Sequence, residues 1–562
     1  MSVLEEIDQD LLDRCNAIWA ATQAQEKQDT LSRLEPPLMR LWDGDYNMHH
    51  IVGCEYSANF EWINNDSGTG LTELPFDSAA AQWIYDVKGR IARGEKRNVH
   101  ISIDKNGARW SGRMQDFSVE KRDDGTVVMV VRWIHDYETL KHYQVWCNPF
   151  TAAAVQWPRV FMLAGPGIWA LKCSLFLQIM RENTSLWRIP DDPLNLNSWG
   201  SGLDMSNWSV VVKPTSFMQD LAAGSLWTVV SSRFKTWHDM AKRPLADGEY
   251  TVVVRRWFTG DELPWPGANL RHGALVVDIV DKSGYYTGTA TSGSMFTGLK
   301  RTVAHFAENF IDSTLDLVND NSIPADYLKA GVKSTDKAMP YVVFREGEET
   351  GIQTSTFLYT PSTATQINVG GHSAPGVDET ISASIQAVGD ILGNLAQIGS
   401  LGGSIDTLAK PFYQGTLFAW MSLPSKERKD NSGWASYFEY FQDGADRAYT
   451  LSSLMVLRAG FWSTRTWFSH ELVVADGAPW LIGDQGQGHL WLGDRCGSTV
   501  TGDITGEVYV SRVHKIGLAW DRETAPDWMP TIGDDSAKTD PVQHAHELLE
   551  DVKASLMDAG VY

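Results

Sequence analysis

The chain has no C-x-x-C pair. Its five cysteines, Cys15, Cys54, Cys147, Cys173 and Cys496, are odd in number and scattered, which excludes both a disulfide framework and a zinc ribbon. Basic side chains are in deficit: 48 Lys and Arg against 70 Asp and Glu leave a formal net charge of -22, and no Lys/Arg run breaks the pattern. Sequence-independent nucleic-acid binding draws most of its affinity from neutralised phosphates, so this balance argues against a nucleic-acid binder. Proline is sparse, 22 in 562 residues, while 43% of the chain is hydrophobic, and that combination excludes wholesale disorder. The opening MSVLEEIDQDLLDRC carries acids where a secretory signal carries bases before an apolar run, so folding in the cytosol is expected.

What is present is length enough for roughly three to four domains. Leu4, Ile7, Leu11, Cys15 and Ile18 recur at helical spacing until Pro36-Pro37 stops them, predicting an amphipathic helix over 1–37 whose stripe packs either on its own domain or on a neighbouring subunit. Residues 38–150 change texture. Val99, Ile101 and Ile103 alternate with polar neighbours, Asn106-Gly107 supplies a hairpin turn, and Asp123-Asp124-Gly125 leads into a second strand pair, so a small antiparallel barrel or sandwich is expected, with a helical interlude at 76–91. A helical and loop insertion follows at 151–230, opened by Gly165-Pro166-Gly167. An α+β domain spans 231–360, with strands near 250–258 and 274–280 and helical character at 299–318. A Gly-rich apolar segment occupies 361–413, a second β-rich domain with one helix at 446–458 occupies 414–525, and an acidic tail with a short helix at 541–557 closes the chain.

The chemical motifs are weak. Gly371-His372-Ser373-Ala374-Pro375 imitates a nucleophile elbow but puts proline where the strained turn needs a small residue. Gly486-Gln487-Gly488 has Trp491 in place of the third glycine of a dinucleotide fingerprint. His49-His50 and His544-Ala545-His546-Glu547 lack the i,i+4 spacing of a helical zinc site. Carboxylate pairs such as Asp484 with Asp494, or Glu346 with Glu348 and Glu349, are what any acidic chain offers. The 24 tryptophans suit cores and interfaces, and rings such as Phe461-Trp462 and Trp467-Phe468 are the sugar-facing alternative. No catalytic residue, cofactor or metal is assigned. Within 380–411, only Asp390, Asp406 and Lys410 are charged. Ile381, Ile385, Val388, Ile391, Leu392, Leu395 and Ile398 make one apolar face there, and Gly389 and Gly393 allow close helix approach. Asp390 and Gly402-Gly403 interrupt any run of about 18 apolar residues. A buried intersubunit hairpin, a channel plug and a membrane-engaging loop remain the three readings.

Several longer stretches carry a family resemblance. They are Leu38-Met39-Arg40-Leu41-Trp42-Asp43-Gly44-Asp45, Phe60-Glu61-Trp62-Ile63, the run Gly107 to Met114, His135-Asp136-Tyr137-Glu138, Gly370-Gly371-His372-Ser373, Asp443 to Leu451, and Ala475 to Pro479. Together they resemble the baseplate-hub-like minor tail proteins of long-tailed phages of mycobacteria and related actinobacteria. The resemblance implies an architecture related to hub proteins, and with the segments read above the expected fold is multi-domain and mainly β with α+β parts: hub-like barrel or sandwich domains, an N-terminal helix and an apolar helical hairpin insertion. The resemblance further implies a structural virion protein of the distal tail tip, assembled in the host cytoplasm as a homotrimer. Its partners would be the distal tail and tape-measure proteins, other minor tail proteins and the host envelope, without sequence-specific nucleic-acid contact. It implies roles in tail assembly, host attachment and genome delivery, and no catalytic residues. The alternative function is a tail-associated hydrolase or polysaccharide-binding protein of the cell envelope.

Overall fold

The computed structural model describes residues 9–151, 153–184, 205–223, 225, 227–282, 342–345, 351–370, 420–442, 460, 464, 467–477, 480–500, 502 and 508–533. Within these the chain is mainly β with a smaller helical share. The expected helices near 299–318, 446–458 and 541–557 lie outside the described residues.

The first helix, α1 (Gln9–Leu34), stands clear of the body along most of its length. Leu12, Ile18, Trp19 and Leu31 are all exposed. Only its end is fastened. The Lys105 ammonium donates to the carbonyls of Ser32, Arg33 and Glu35 at 3.2, 2.9 and 2.7 Å, meeting the orphan acceptors and negative dipole end of a helix C-terminus.

The next segment gives β1 (Leu38–Asp43), β2 (Met48–Val52), β3 (Ser57–Ile63), β4 (Thr69–Pro75), α2 (Ala79–Tyr85), α3 (Val87–Ala92), β5 (Val99–Lys105), β6 (Ala108–Lys121) and β7 (Val127–His135). The predicted turn joins β5 to β6, with Asn106 and Gly107 both at positive φ, as a tight hairpin turn matching strand twist requires. The helical interlude starts where Ser78 and Asp86 accept backbone N–H groups of Ala81 and Gly89, each an N-cap. Strands β3 and β4 alternate buried and exposed positions, sending Phe60, Trp62 and Leu74 inward.

A second unit follows: α4 (Glu138–Lys141), β8 (Phe161–Pro166), α5 (Gly167–Thr184), β9 (Val210–Val212), α6 (Phe217–Ala222), β10 (Trp227–Ser232), α7 (Trp237–Gly248), β11 (Tyr250–Arg256) and β12 (Leu275–Asp281). The α5 stripe Leu171, Leu175 and Ile179 is fully buried and joins a core with Trp208, Trp237, Val252 and Leu275. Spacing of four along the helix puts those three side chains on one face.

The remaining elements are β13 (Val342–Phe344), β14 (Ile352–Thr360), β15 (Gln366–Gly370), β16 (Trp420–Pro424), α8 (Lys426–Ser432), β17 (Glu439–Phe441), β18 (Trp467–Val474), β19 (Arg495–Thr499), β20 (Val508–Asp521) and β21 (Asp527–Ile532). Strand β20 pairs antiparallel with β3, from Lys515 against Ile63 to Asp521 against Ser57. Both ends of the chain therefore build one sheet, ordered β14-β18-β21-β20-β3-β4-β7-β6-β5-β1-β2. Its core joins Phe60, Trp110 and Trp133 to Leu518, Trp520 and Trp528. Space at its centre is tight: a Cβ on Gly70 would lie 2.6 Å from the Phe60 ring, and one on Gly112 would lie 2.6 Å from Trp110.

Candidate functional site

The most concentrated chemistry among the described residues is a charged seam where the two cores meet. Strand β11 runs through Val252, Val253 and Val254 and then ends on Arg255-Arg256, while β7 is followed directly by Asp136. Their ends face each other. The Arg256 guanidinium donates two hydrogen bonds to Asp136, Nε at 2.8 Å and Nη2 at 3.0 Å, and a third from Nη1 to the Gly273 carbonyl at 2.9 Å. Both side chains are buried. Burial alone raises the Asp136 pKa, but the Arg256 charge and hydrogen bonds outweigh it and hold the carboxyl below the usual range. The guanidinium also lies over the Tyr46 ring, 4.7 Å from its centroid.

Beside this pair, Arg109 bridges Asp104 on its own sheet and Asp261 of the second unit. Its Nη1 donates to the Arg256 carbonyl at 2.8 Å. Arg40 also pairs with Asp104, and Trp42 stacks on Phe258 with centroids 4.3 Å apart. On the other flank Lys282 pairs with buried Asp494 and Arg495 with Glu249. Asn65 holds the free edge of β11, donating to Tyr250 O and accepting from Val252 N, each at 2.8 Å. The two bidentate pairs among them, Arg256 with Asp136 and Arg109 with Asp261, specify one geometry. The seam is a clamp between the two units.

Two histidines are sealed into it. His100 shares a 3.1 Å hydrogen bond with the Tyr46 hydroxyl, and His135 accepts from Tyr137 N through Nδ1. Desolvation pushes both down to about 4 from the ordinary 6.5. The unfolded chain then binds more protons than the folded one between those values, so stability is complete above about pH 6.5 and is lost as pH falls toward 4. Chemical denaturation between pH 7.5 and 4.5 should register a decline of several kcal/mol; a flat profile would show that neither ring is sealed from water.

The sequence motifs fare unevenly. Asp494 is a seam anchor bound to Lys282, whereas Asp484 donates its backbone N–H to Asn106 O at 3.0 Å. Gly486-Gln487-Gly488 lies in a loop against the Asn106-Gly107 turn, where a Cβ on Gly488 would meet the backbone of Gly483 at 2.3 Å. His49 stacks on Trp83 at 4.6 Å and His50 meets the same ring edge-on. No group of three or more potential metal ligands is gathered among the described residues. Residues 371–375, 461–462 and 544–547 lie outside the described residues. So does the apolar face of Ile381, Ile385, Val388, Ile391, Leu392, Leu395 and Ile398. The seam itself was not foreseen, although a charged residue closing a valine-rich strand, as Arg256 does, was a visible signal.

Sequence comparison gives this architecture its class, that of siphophage minor tail proteins. The chain is 34% identical to Minor tail protein Gp28 of Mycobacterium phage L5 over 97% of its own length and 98% of that protein's. It is 33% identical to the Gp28 of Mycobacterium phage D29, over 95% and 96%. A family described as Siphovirus ReqiPepy6 Gp37-like protein matches residues 38–534, and the chain belongs to that family. It is a component of the virion tail and so contacts other tail proteins. A crystallised tail protein from Neisseria meningitidis MC58 overlays at a TM-score of 0.38 and 9% identity, covering 90% of this chain and 99% of that one, too slight a likeness to carry detail across.

Proposed function

We propose that the chain is a hub subunit of the distal tail tip, assembled in the host cytoplasm. It closes as a homotrimer beneath the tail tube, against the distal tail, tape-measure and other minor tail proteins, and serves tail assembly, host attachment and genome delivery. The supporting observation is α1. This 26-residue helix is fixed at its C-terminal end and turns Leu12, Ile18 and Trp19 to solvent. Isolated helices are marginal in water without a packed face, so the second of the two sequence readings, packing on a neighbouring subunit, fits this geometry better. Closed symmetry is the usual outcome of such contacts. Light scattering on the purified chain is expected to give three times the chain mass. A monomer that stays monomeric with its tail partners would end the proposal.

Residues 380–411 are the proposed channel-plug or envelope-engaging element of that hub. Virions lacking them are expected to assemble normally and fail to deliver DNA; unaltered infectivity would remove the role.

A further inference from the structure

We propose that the small sheet β16-β15-β17 presents a binding face for a neutral polysaccharide strand. In this sheet Asn368 lies opposite Ser422 on one side and Phe441 on the other, Gln366 opposite Glu439, and Gly370 opposite Trp420. Because side chains alternate across a sheet, Gln366, Asn368, Trp420, Ser422, Glu439 and Phe441 share one face. The opposite face is closed: Ile367 and Val369 are fully buried.

The open face combines two kinds of group. Trp420 and Phe441 are 54% and 42% exposed, and their rings meet edge to face at 5.4 Å. Gly370, opposite Trp420 in the register, adds no side chain beside that ring. Beside the rings runs a polar row. Asn368 Nδ2 donates to Glu439 Oε2 at 2.8 Å, Gln366 Nε2 donates to the same oxygen at 3.3 Å, and the Ser422 hydroxyl donates to Asn368 Oδ1. Trp434, Tyr437 and Phe438, in the segment leading into β17, are more exposed still.

Large rings held open to water beside a pre-ordered row of amide, hydroxyl and carboxylate groups match the two surfaces of a sugar. The apolar C–H face of a pyranose or furanose ring packs on an aromatic plane, and its hydroxyls donate to a carboxylate or exchange with amides. A purely apolar partner would strip water from Glu439 without giving it a donor. The Glu439 carboxylate and the chain charge of -22 select against anionic glycans, which leaves a neutral one.

The inference deepens the attachment role proposed above and rests on it, yet the two fail separately. The test is calorimetric titration of the full chain with soluble polysaccharide from mycobacterial cell walls, the host genus in its relatives' names, with polygalacturonate as the anionic counterpart. Wild type should bind the neutral polymer and ignore polygalacturonate. Trp420→Ala and Phe441→Ala should weaken binding roughly tenfold or more, as truncating a ring at the centre of a contact does. Glu439→Gln should also weaken it, and Trp157→Ala, an exposed ring elsewhere, should not. Absence of binding by wild type, equal binding of polygalacturonate, or unchanged affinity in Trp420→Ala would overturn the proposal. So would a fall in solution mass for Trp420→Ala, which would assign the face to a subunit contact. A trimer without sugar binding removes this face and leaves the hub; a binding monomer does the reverse.

Discussion

Replacing Arg256 by Ala is expected to loosen the seam by about 3–5 kcal/mol, the cost of leaving a buried charge without its partner. Asp136 is 4% exposed and receives two of its hydrogen bonds from that guanidinium. Truncation strands the carboxylate and also frees the Gly273 carbonyl. With total stabilities of roughly 5–15 kcal/mol, this is a large fraction. A chain with two cores need not unfold in one step, so the readout should be local. Hydrogen exchange of the β11 amides should accelerate roughly 100-fold or more, at about 1.4 kcal/mol per factor of ten. Acceleration below tenfold would mean that water or a shifted side chain satisfies Asp136. The double variant Arg256→Met with Asp136→Leu removes both charges together and should recover most of the loss, since a buried pair contributes little over well-packed apolar groups.

How far these features were legible in the sequence depends on the distance over which each is specified. The hairpin at Asn106-Gly107 and the start of α5 at Gly167 are written within a few residues, the first by φ preference and the second by the Gly165-Pro166-Gly167 signal, and both stand where expected. The N-terminal helix was equally legible, but which surface covers it is a tertiary question, and its exposure became clear only when the body was in view. The seam lies beyond local reading altogether. Arg256 and Asp136 are 120 residues apart, Arg109 and Asp261 152 apart, and nothing in either neighbourhood names its partner. The sugar-like face is assembled from strands spanning residues 366 to 441. Trp420 is one of 24 tryptophans, a residue type that suits cores, and packing does hold for Trp110, Trp133 and Trp528. Trp420 departs from that pattern because its strand covers the core with the other face. The segmentation into β-rich residues 38–150 and 414–525 follows chain order, whereas strand pairing runs across it at β20 and β3.

That last pairing carries the other large prediction. A chain ended at residue 507 loses β20 and β21, and with them Val513, Ile516, Leu518, Trp520, Trp528 and Ile532, all buried in the same core as Phe60 and Trp62. At about 1.5–3 kcal/mol for each fully buried apolar side chain, the loss is as large as the roughly 5–15 kcal/mol by which a domain is stable. Strand β3 would also become a bare edge presenting unpaired N–H and C=O groups, an aggregation surface. The amino-terminal part of the sheet should therefore not fold in the truncated chain, although its seven strands, β1 to β7, are present. Limited proteolysis should cut within residues 38–135 of the truncated chain under conditions where the full chain resists. The second unit, with Leu171, Trp237 and Leu275 in a core of its own, should resist longer than the first. Protection of 38–135 in the truncated chain would show that the amino-terminal strands close on themselves, and that β20 is an addition to a finished domain and not its last structural element.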